Sequence, residues 1–294
     1  MGKIISTKIS TQEKAVKYSV PSVVLNHDGV VGDIHAGKSN KQISLLSQAS
    51  AIKGKDSVNF IIDDLANLNI LDRLKINDVV LKIAQVGKKC KAKNCASCEI
   101  AAQCKVAKEC VYVRVIHGGE IKPEDDVAYL KRSLKILVIT LSDRAFHGEY
   151  EDLSGPVACN FLNDYLAKQN WQIDLASSIL PDEETQLRKA LENAITNRTD
   201  VIFTLGGTGV GARDITPEVV LPMCDKIIPG IMEHIRVKYG AIIPSALLSR
   251  SIAGIKNNTQ IYALPGSVKA VTEYLSEIVK TLEHMVFMLH GIDH

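Results

Sequence analysis

Asp200-Val201-Ile202-Phe203-Thr204-Leu205-Gly206-Gly207-Thr208-Gly209 decides the fold of the second half of the chain. Five apolar or β-favouring residues in a row, closed by a glycine turn, read as a strand buried on both faces. Similar strands are expected at Lys135 to Leu141, Trp171 to Ile179 and Ile261 to Leu264. Helical periodicity lies between them, from Pro156 to about Lys168 and from Glu183 to Thr196. Further helices are expected from Pro217, from Gly230 to Tyr239, and from Val268 to Leu289. Strands alternating with helices predict an α/β domain, a parallel sheet with helices on both faces, over residues 134–294. Ligands of such sheets bind beyond the carboxyl ends of the strands.

The first half has another rhythm. Ser19 to Leu25, Gln42 to Leu46, Asp78 to Val86 and Val111 to Ile116 read as short strands with few helices between them. That pattern predicts a small β-barrel over residues 1–130. Ile121 to Asp126 reads as a polar turn, and Tyr129 to Ser133 as a charged junction. The 294 residues thus suit two domains. Hydrophobic residues at 46% and charged residues at 23% argue for packed cores rather than disorder. No apolar run is long enough to span a bilayer, and the opening residues lack a secretory pattern. A cytoplasmic protein is expected.

Charge divides the chain. Residues 1–133 carry 21 Lys and Arg against 14 Asp and Glu; residues 134–294 carry 14 against 19. A basic first half suits an anionic ligand and an acidic second half a divalent cation. Aromatics are only 5% and no helix concentrates the basic residues, which argues against nucleic acid.

Three loops should meet at one sheet edge. They are Ser142-Asp143-Arg144 running to Ser154-Gly155-Pro156; Leu180-Pro181-Asp182-Glu183; and Gly206 to Glu218. Glycines bring backbone N–H groups close to a phosphate. Ser154 and Thr216 read as helix N-caps beside Pro156 and Pro217. Asp182 and Asp214 could share a Mg2+ ion, which favours a few carboxylates plus phosphate oxygens. Each element also has a plainer use, the glycines as a turn and each Asp as a cap. No Lys-Ser/Thr follows the glycines, so this is not a P-loop.

Taken together, Ser142-Asp143-Arg144-Ala145, Asp152-x-Ser154-Gly155-Pro156, Leu180-Pro181-Asp182-Glu183, Gly206-Gly207-Thr208-Gly209 and Arg213-Asp214-x-Thr216-Pro217-Glu218 resemble the molybdopterin adenylyltransferase family. The likeness continues through Pro244-Ser245-Ala246-x-Leu248-Ser249-Arg250 and Leu264-Pro265-Gly266-Ser267. It implies Mg2+-dependent transfer of adenylate from ATP to the molybdopterin phosphate, with release of pyrophosphate. Asp182 and Asp214 match the catalytic and metal-binding positions. Ser142, Asp143, Ser154, Gly155, Thr216 and Gly206 to Gly209 match substrate-binding positions, as do Ser245, Ser249, Arg250, Pro265 and Gly266. A homo-oligomer, a trimer by family habit, is implied too. The alternatives are a non-catalytic molybdopterin carrier and a molybdate-insertion enzyme.

In the first half, Gly32-Asp33-Ile34-His35-Ala36-Gly37, Lys41 to Leu46 and Gly87-Lys88-Lys89-Cys90 resemble a MOSC domain. MOSC domains are β-barrels associated with molybdenum cofactor binding or sulfur transfer. Asp33, His35, Cys90, Cys95 and Cys104 are the implied site. Lys41 stands where Arg is common, which removes a fork of donors. Five of the seven cysteines lie between Cys90 and Cys110. They suit a sulfur-carrying thiol, a Zn2+ or Fe–S site, or inert thiols.

Overall fold

The computed structural model of the chain describes residues 2–12, 16–37, 41–51, 58–65, 67–87 and 108–292. Two compact units divide it, Met1–Arg132 together with Ile292–His294, and Ser133–Gly291.

The first unit opens with strands β1 (Gly2–Ile9), β2 (Tyr18–Val20), β3 (Val23–Asn26) and β4 (Gly29–Val30). Next come β5 (Ile43–Ser47), β6 (Phe60–Ile62), β7 (Arg73–Ile76) and β8 (Val79–Val86). It ends with β9 (Val111–His117), β10 (Gly119–Ile121) and β11 (Asp126–Leu130). The order β11-β7-β8-β9-β5-β6-β1 closes on itself through β11 and β1, so the barrel is complete. The seam pairs Gly2 with Val127 and Lys3 with Asp126. Alternation fills the interior: Ile4, Leu45, Phe60, Leu74, Leu81 and Val113 are all fully buried. Strand β2 extends the ring from β1, and β3, β4 and β10 form a separate small sheet. Pro21 separates β2 from β3, as a residue without an N–H should. The charged junction expected from Tyr129 is instead the last barrel strand: Tyr129 pairs with Leu74 and Leu130 with Arg73.

The second unit contains β12 (Ser133–Leu141), α1 (Asp143–Phe146), α2 (Ser154–Lys168) and β13 (Gln172–Leu180). Then follow α3 (Glu184–Thr196), β14 (Val201–Leu205), α4 (Thr216–Met223), β15 (Lys226–Ile227) and α5 (Pro229–Gly240). The chain finishes with β16 (Ile252–Lys256), β17 (Thr259–Leu264) and α6 (Val268–Leu289). The sheet order is β13-β12-β14-β17-β16-β15. The first four strands are parallel. The sheet is mixed, however, because β16 runs antiparallel to β17 and β15 to β16. The hairpin turns at Asn257 (φ +53°).

Helices cover both faces. Leu187 and Leu191 of α3 and Val219 and Val220 of α4 pack with Ile139, Ile202 and Ile261 on one side. On the other, α2 touches α6 and β12, and α6 touches β17. Helix α6 starts where the Ser267 hydroxyl accepts the Ala270 N–H (3.3 Å), a single-residue cap. Among the described residues, no helix is long and apolar enough to cross a membrane.

Candidate active site

Parallel strands β12, β13, β14 and β17 end at one edge of the sheet, and each end delivers polar groups there. After β12, the Ser142 N–H donates to Leu180 O (3.0 Å), tying the ends of β12 and β13 together. The Ser142 hydroxyl caps α1 by accepting the Ala145 N–H at 3.3 Å. Asp143 and Asp182 exchange hydrogen bonds. The Asp182 N–H donates to Asp143 Oδ1 (2.9 Å), and the Asp143 N–H donates to Asp182 Oδ2 (3.2 Å). The Arg213 guanidinium pairs with the Asp143 carboxylate. Burial, and then the charge of Asp214, push the Asp182 carboxyl above its ordinary range. The two acidic residues are therefore close enough to feel each other.

The glycine turn after β14 is built on conformations that only glycine adopts easily. Gly206 has φ +115° and Gly207 φ +63°. The Thr216 hydroxyl donates to Gly206 O at 2.8 Å, and its N–H donates to Gly207 O at 3.0 Å. A Cβ on Gly206 would sit 2.5 Å from the backbone oxygen of Leu141, and one on Gly207 2.5 Å from Thr216 Oγ1. Gly206→Ala will therefore lower stability by about 1–3 kcal/mol, the usual size of such backbone strain. Urea unfolding followed by the fluorescence of Trp171 checks this, and an unshifted midpoint refutes it.

Arg250 holds the loop from inside. Its Nε donates to Gly209 O (2.6 Å) and its Nη2 to Asp214 O (2.7 Å). Its Nη1 pairs with the Glu218 carboxylate, which that bond holds below its usual range. The resemblance placed Arg250 among the substrate-binding positions; here its guanidinium is engaged within the loop, on two carbonyls and one carboxylate. Asp214 is aimed by the Gly211 N–H, which donates to Oδ2 at 2.8 Å.

Ser154 and Thr216 do not cap their helices. Each is the first helical residue, and the N-cap positions are Leu153 and Ile215. The acceptor at the α2 end is Asp152, a motif residue to which the sequence assigned no role. Its Oδ1 accepts the N–H groups of Ser154 and Gly155, both at 3.0 Å, and the Ser154 hydroxyl at 2.9 Å. Its Oδ2 accepts the Thr140 hydroxyl at 2.7 Å. Burial raises the Asp152 carboxyl, but these donors outweigh it and hold the group low.

Two cavities adjoin along Gly266 and Ser267. One, of about 460 Å3, is lined by Gly207 to Val210, Asp214, Ser245, Ser249 and Pro265. The other, of about 370 Å3, takes Ser142, Arg144, Tyr150, Asp152 and Ser154 into its wall. Arg144 lies 5.5 Å from the Tyr150 ring centre, a cation–π pair that spacing alone did not reveal. Asp143, Gly155, Asp182, Gly206, Thr216 and Arg250 line neither cavity.

In the barrel, Asp33 is a structural anchor. Its side chain is fully buried and pairs with the equally buried Lys17 ammonium. Asn59 Nδ2 (3.0 Å) and the Ser10 N–H (3.1 Å) donate to Oδ2, and the His35 N–H (2.9 Å) to Oδ1. Burial alone would raise this carboxyl; Lys17 and the amides overcome it and hold it at about 2. His35 Nδ1 lies 3.0 Å from Asp33 Oδ1, with half of the imidazole side chain exposed. Cys90, Cys95 and Cys104 lie outside the described residues. Cys110 is buried, and Cys159 and Cys224 are half-buried. Among the described residues no group of three or more His, Cys, Asp or Glu is placed to hold a metal ion.

Comparison with known proteins bears on the second unit. Residues 137–284 match the family model described as "Probable molybdopterin binding domain". A molybdopterin adenylyltransferase of Helicobacter pylori is 35% identical over 161 residues, covering 54% of this chain and 90% of the relative. One from Escherichia coli is 33% identical over 161 residues, covering 54% and 80%. The molybdopterin biosynthesis Mog protein from Mycobacterium ulcerans, a solved structure, is 29% identical. It superposes with a TM-score of 0.50 over 55% of this chain and 99% of its own. With a sheet edge of this geometry and a match of that extent, the chain belongs to the molybdopterin-binding domain family.

Proposed function

We propose that the second unit activates molybdopterin for molybdenum cofactor biosynthesis by adenylylating it with ATP. An oxygen of the molybdopterin phosphate attacks the α-phosphorus of ATP. The bond from that phosphorus to the bridging oxygen breaks, and pyrophosphate leaves. The observations that carry this reading are that the Asp214 carboxylate stands against Gly209 and Gly211, and that Asp182, bonded to Asp143, is linked to the same loop through the Arg213 ion pair. The names of the bacterial relatives point the same way.

The turn offers backbone N–H groups to phosphate oxygens in a loop already held by Thr216 and Arg250. Two adjoining cavities leave room for two small substrates at once. Burial first and the Asp214 charge second raise the Asp182 carboxyl, and a cation between the two residues would relieve both, which is why Mg2+ is proposed here. Such an ion, when bound, would offset phosphate charge during transfer. Asp182 and Asp214 would hold it, and Arg213 keeps Asp143 neutralised beside them. Ser245 and Ser249 face the larger cavity and would order its occupant.

The first unit is proposed as a MOSC-like barrel that holds cofactor or carries sulfur. The closed ring of strands and the Asp33–His35 turn support this. The test of the main reading is direct. Purified protein given ATP and molybdopterin should release pyrophosphate in proportion to molybdopterin added. No release above the ATP-only rate would end the enzymatic reading and leave binding alone.

A further inference from the structure

Helix α6 forms one wall of the larger cavity, through Lys269, Ala270, Glu273 and Tyr274. Their spacing sets them on one stripe of the helix. The chemistry above uses none of them. Tyr274 is 2% exposed, and among the described residues its hydroxyl has no hydrogen-bond partner. Other tyrosines of the same unit are satisfied. Half-buried Tyr165 donates to Val279 O (3.3 Å) and half-buried Tyr239 to Glu273 O (3.3 Å). Buried Tyr262 donates to Gln260 Oε1 (2.8 Å). A buried hydroxyl without a partner bears its full desolvation cost, so each one in a native fold calls for a physical reason. The open space that Tyr274 borders is this cavity, and an occupant of it can supply the missing bond.

Glu273 adds a carboxylate to the same wall. Its side chain is 23% exposed, and its ion pair with Lys269 is loose, at 3.9 Å. A contact that long is no hydrogen bond, so the carboxylate oxygens can still accept from a ligand. Val210, Ile243 and Leu248 give the cavity apolar surface suited to a flat ring. A carboxylate beside a hydroxyl complements a heterocycle edge with two parallel N–H donors next to a carbonyl. The carboxylate accepts both N–H groups, as it would a guanidinium fork, and the hydroxyl donates to the carbonyl. The 2-amino-4-oxo edge of a pterin has that order. The adenine edge does not, because it sets one donor beside one acceptor. We infer that Glu273 and Tyr274 are specificity-determining residues of the larger cavity, reading the amino-pyrimidinone edge of a pterin. The inference rests on the molybdopterin reading of the second unit and deepens it.

6-Hydroxymethylpterin, whose ring fluoresces, is the probe, titrated against the full chain. Lumazine carries a carbonyl in place of the 2-amino group and should bind roughly tenfold more weakly, the loss of a hydrogen bond to a charged group. Tyr274→Phe should raise the Kd for the pterin about fivefold, the loss of one neutral hydrogen bond. Its Tm should stay at or above that of the parent protein, since the hydroxyl stabilises nothing in the ligand-free fold. Glu273→Gln should abolish or reverse the preference for pterin over lumazine, because an amide donates one bond and accepts the other. Failure of the parent protein to bind the pterin, or equal binding of pterin and lumazine, would overturn the inference. So would an unchanged pterin Kd or a lowered Tm in Tyr274→Phe, or an unchanged preference in Glu273→Gln. The adenylylation reading fails separately. Molybdopterin-dependent pyrophosphate release without a pterin preference sinks the specificity assignment alone, and a pterin preference without release sinks the enzymatic reading alone.

Discussion

Asp214→Ala will lower kcat for molybdopterin adenylylation by about two to three orders of magnitude, the equivalent of losing several kcal/mol of charge stabilisation in the transition state. The residue faces the larger cavity, and its carboxylate is aimed by the Gly211 amide. The variant should still fold, since the main contribution of Asp214 to the loop, its carbonyl bond to Arg250, comes from backbone. Initial rates of pyrophosphate release check the prediction, and a rate within threefold of the parent protein, an order-of-magnitude threshold on the same scale, would refute it. A companion measurement needs no substrate. The Asp182 carboxyl is raised in the folded state, so its ionised form opposes folding, and stability should increase as pH falls through the folded value. Asp182→Asn removes that penalty, so it should raise the Tm of the ligand-free protein while impairing catalysis. A lowered Tm would count against the crowding of the two carboxylates.

Asp33→Ala will cost the barrel about 3–5 kcal/mol, because it strands the Lys17 ammonium in the interior without its counter-ion. Both side chains of the pair are buried to within 3% of complete enclosure. Asp33→Leu combined with Lys17→Met should recover much of the loss, since well-packed apolar replacements of buried pairs are often neutral. The pH dependence has a definite sign. The Asp33 carboxyl is held at about 2 in the fold, against roughly 3.9 in an unfolded chain. Its contribution is therefore present above about pH 4 and drains away as pH falls toward 2. Amide exchange at Leu45 and Ile83, both in the barrel core, measures this unit. Trp171, the one tryptophan of the chain, stacks on Phe287 and reports on the other. Unchanged exchange in the alanine variant would show that the ion pair is not structural.

Much of the second unit was legible because its strands are continuous apolar runs and its helices have strong periodicity. Helix α6 was read at its observed limits, from Val268 to Leu289. The antiparallel β16 went unread, although Asn257-Asn258 between two apolar runs is a hairpin signal. Chain order alone suggested that every strand in an alternating pattern would be parallel. The barrel was harder. Strands of three or four residues, such as Phe60–Ile62 and Arg73–Ile76, are too short for alternation to stand out, and their pairing is entirely non-local. At the site, residue types were readable but orientation was not. Nothing local distinguishes an Arg250 aimed at ligand from one clamped on Gly209 and Glu218. Asp152 stood in a recognised motif, but nothing local showed that its carboxylate organises the start of α2.

Closure of the barrel between its first and last strands has a consequence for biosynthesis. Gly2 finds its partner only when Val127 has emerged from the ribosome, at ~5–20 residues per second some 6–25 s later. Until then β1 can form no seam, and its open edge is a target for wrong pairing and for chaperones. The α/β half, whose strand partners lie at most about 65 residues apart, faces a shorter wait. Slowing translation upstream of Val127 should therefore prolong the vulnerable period of this protein more than slowing it downstream.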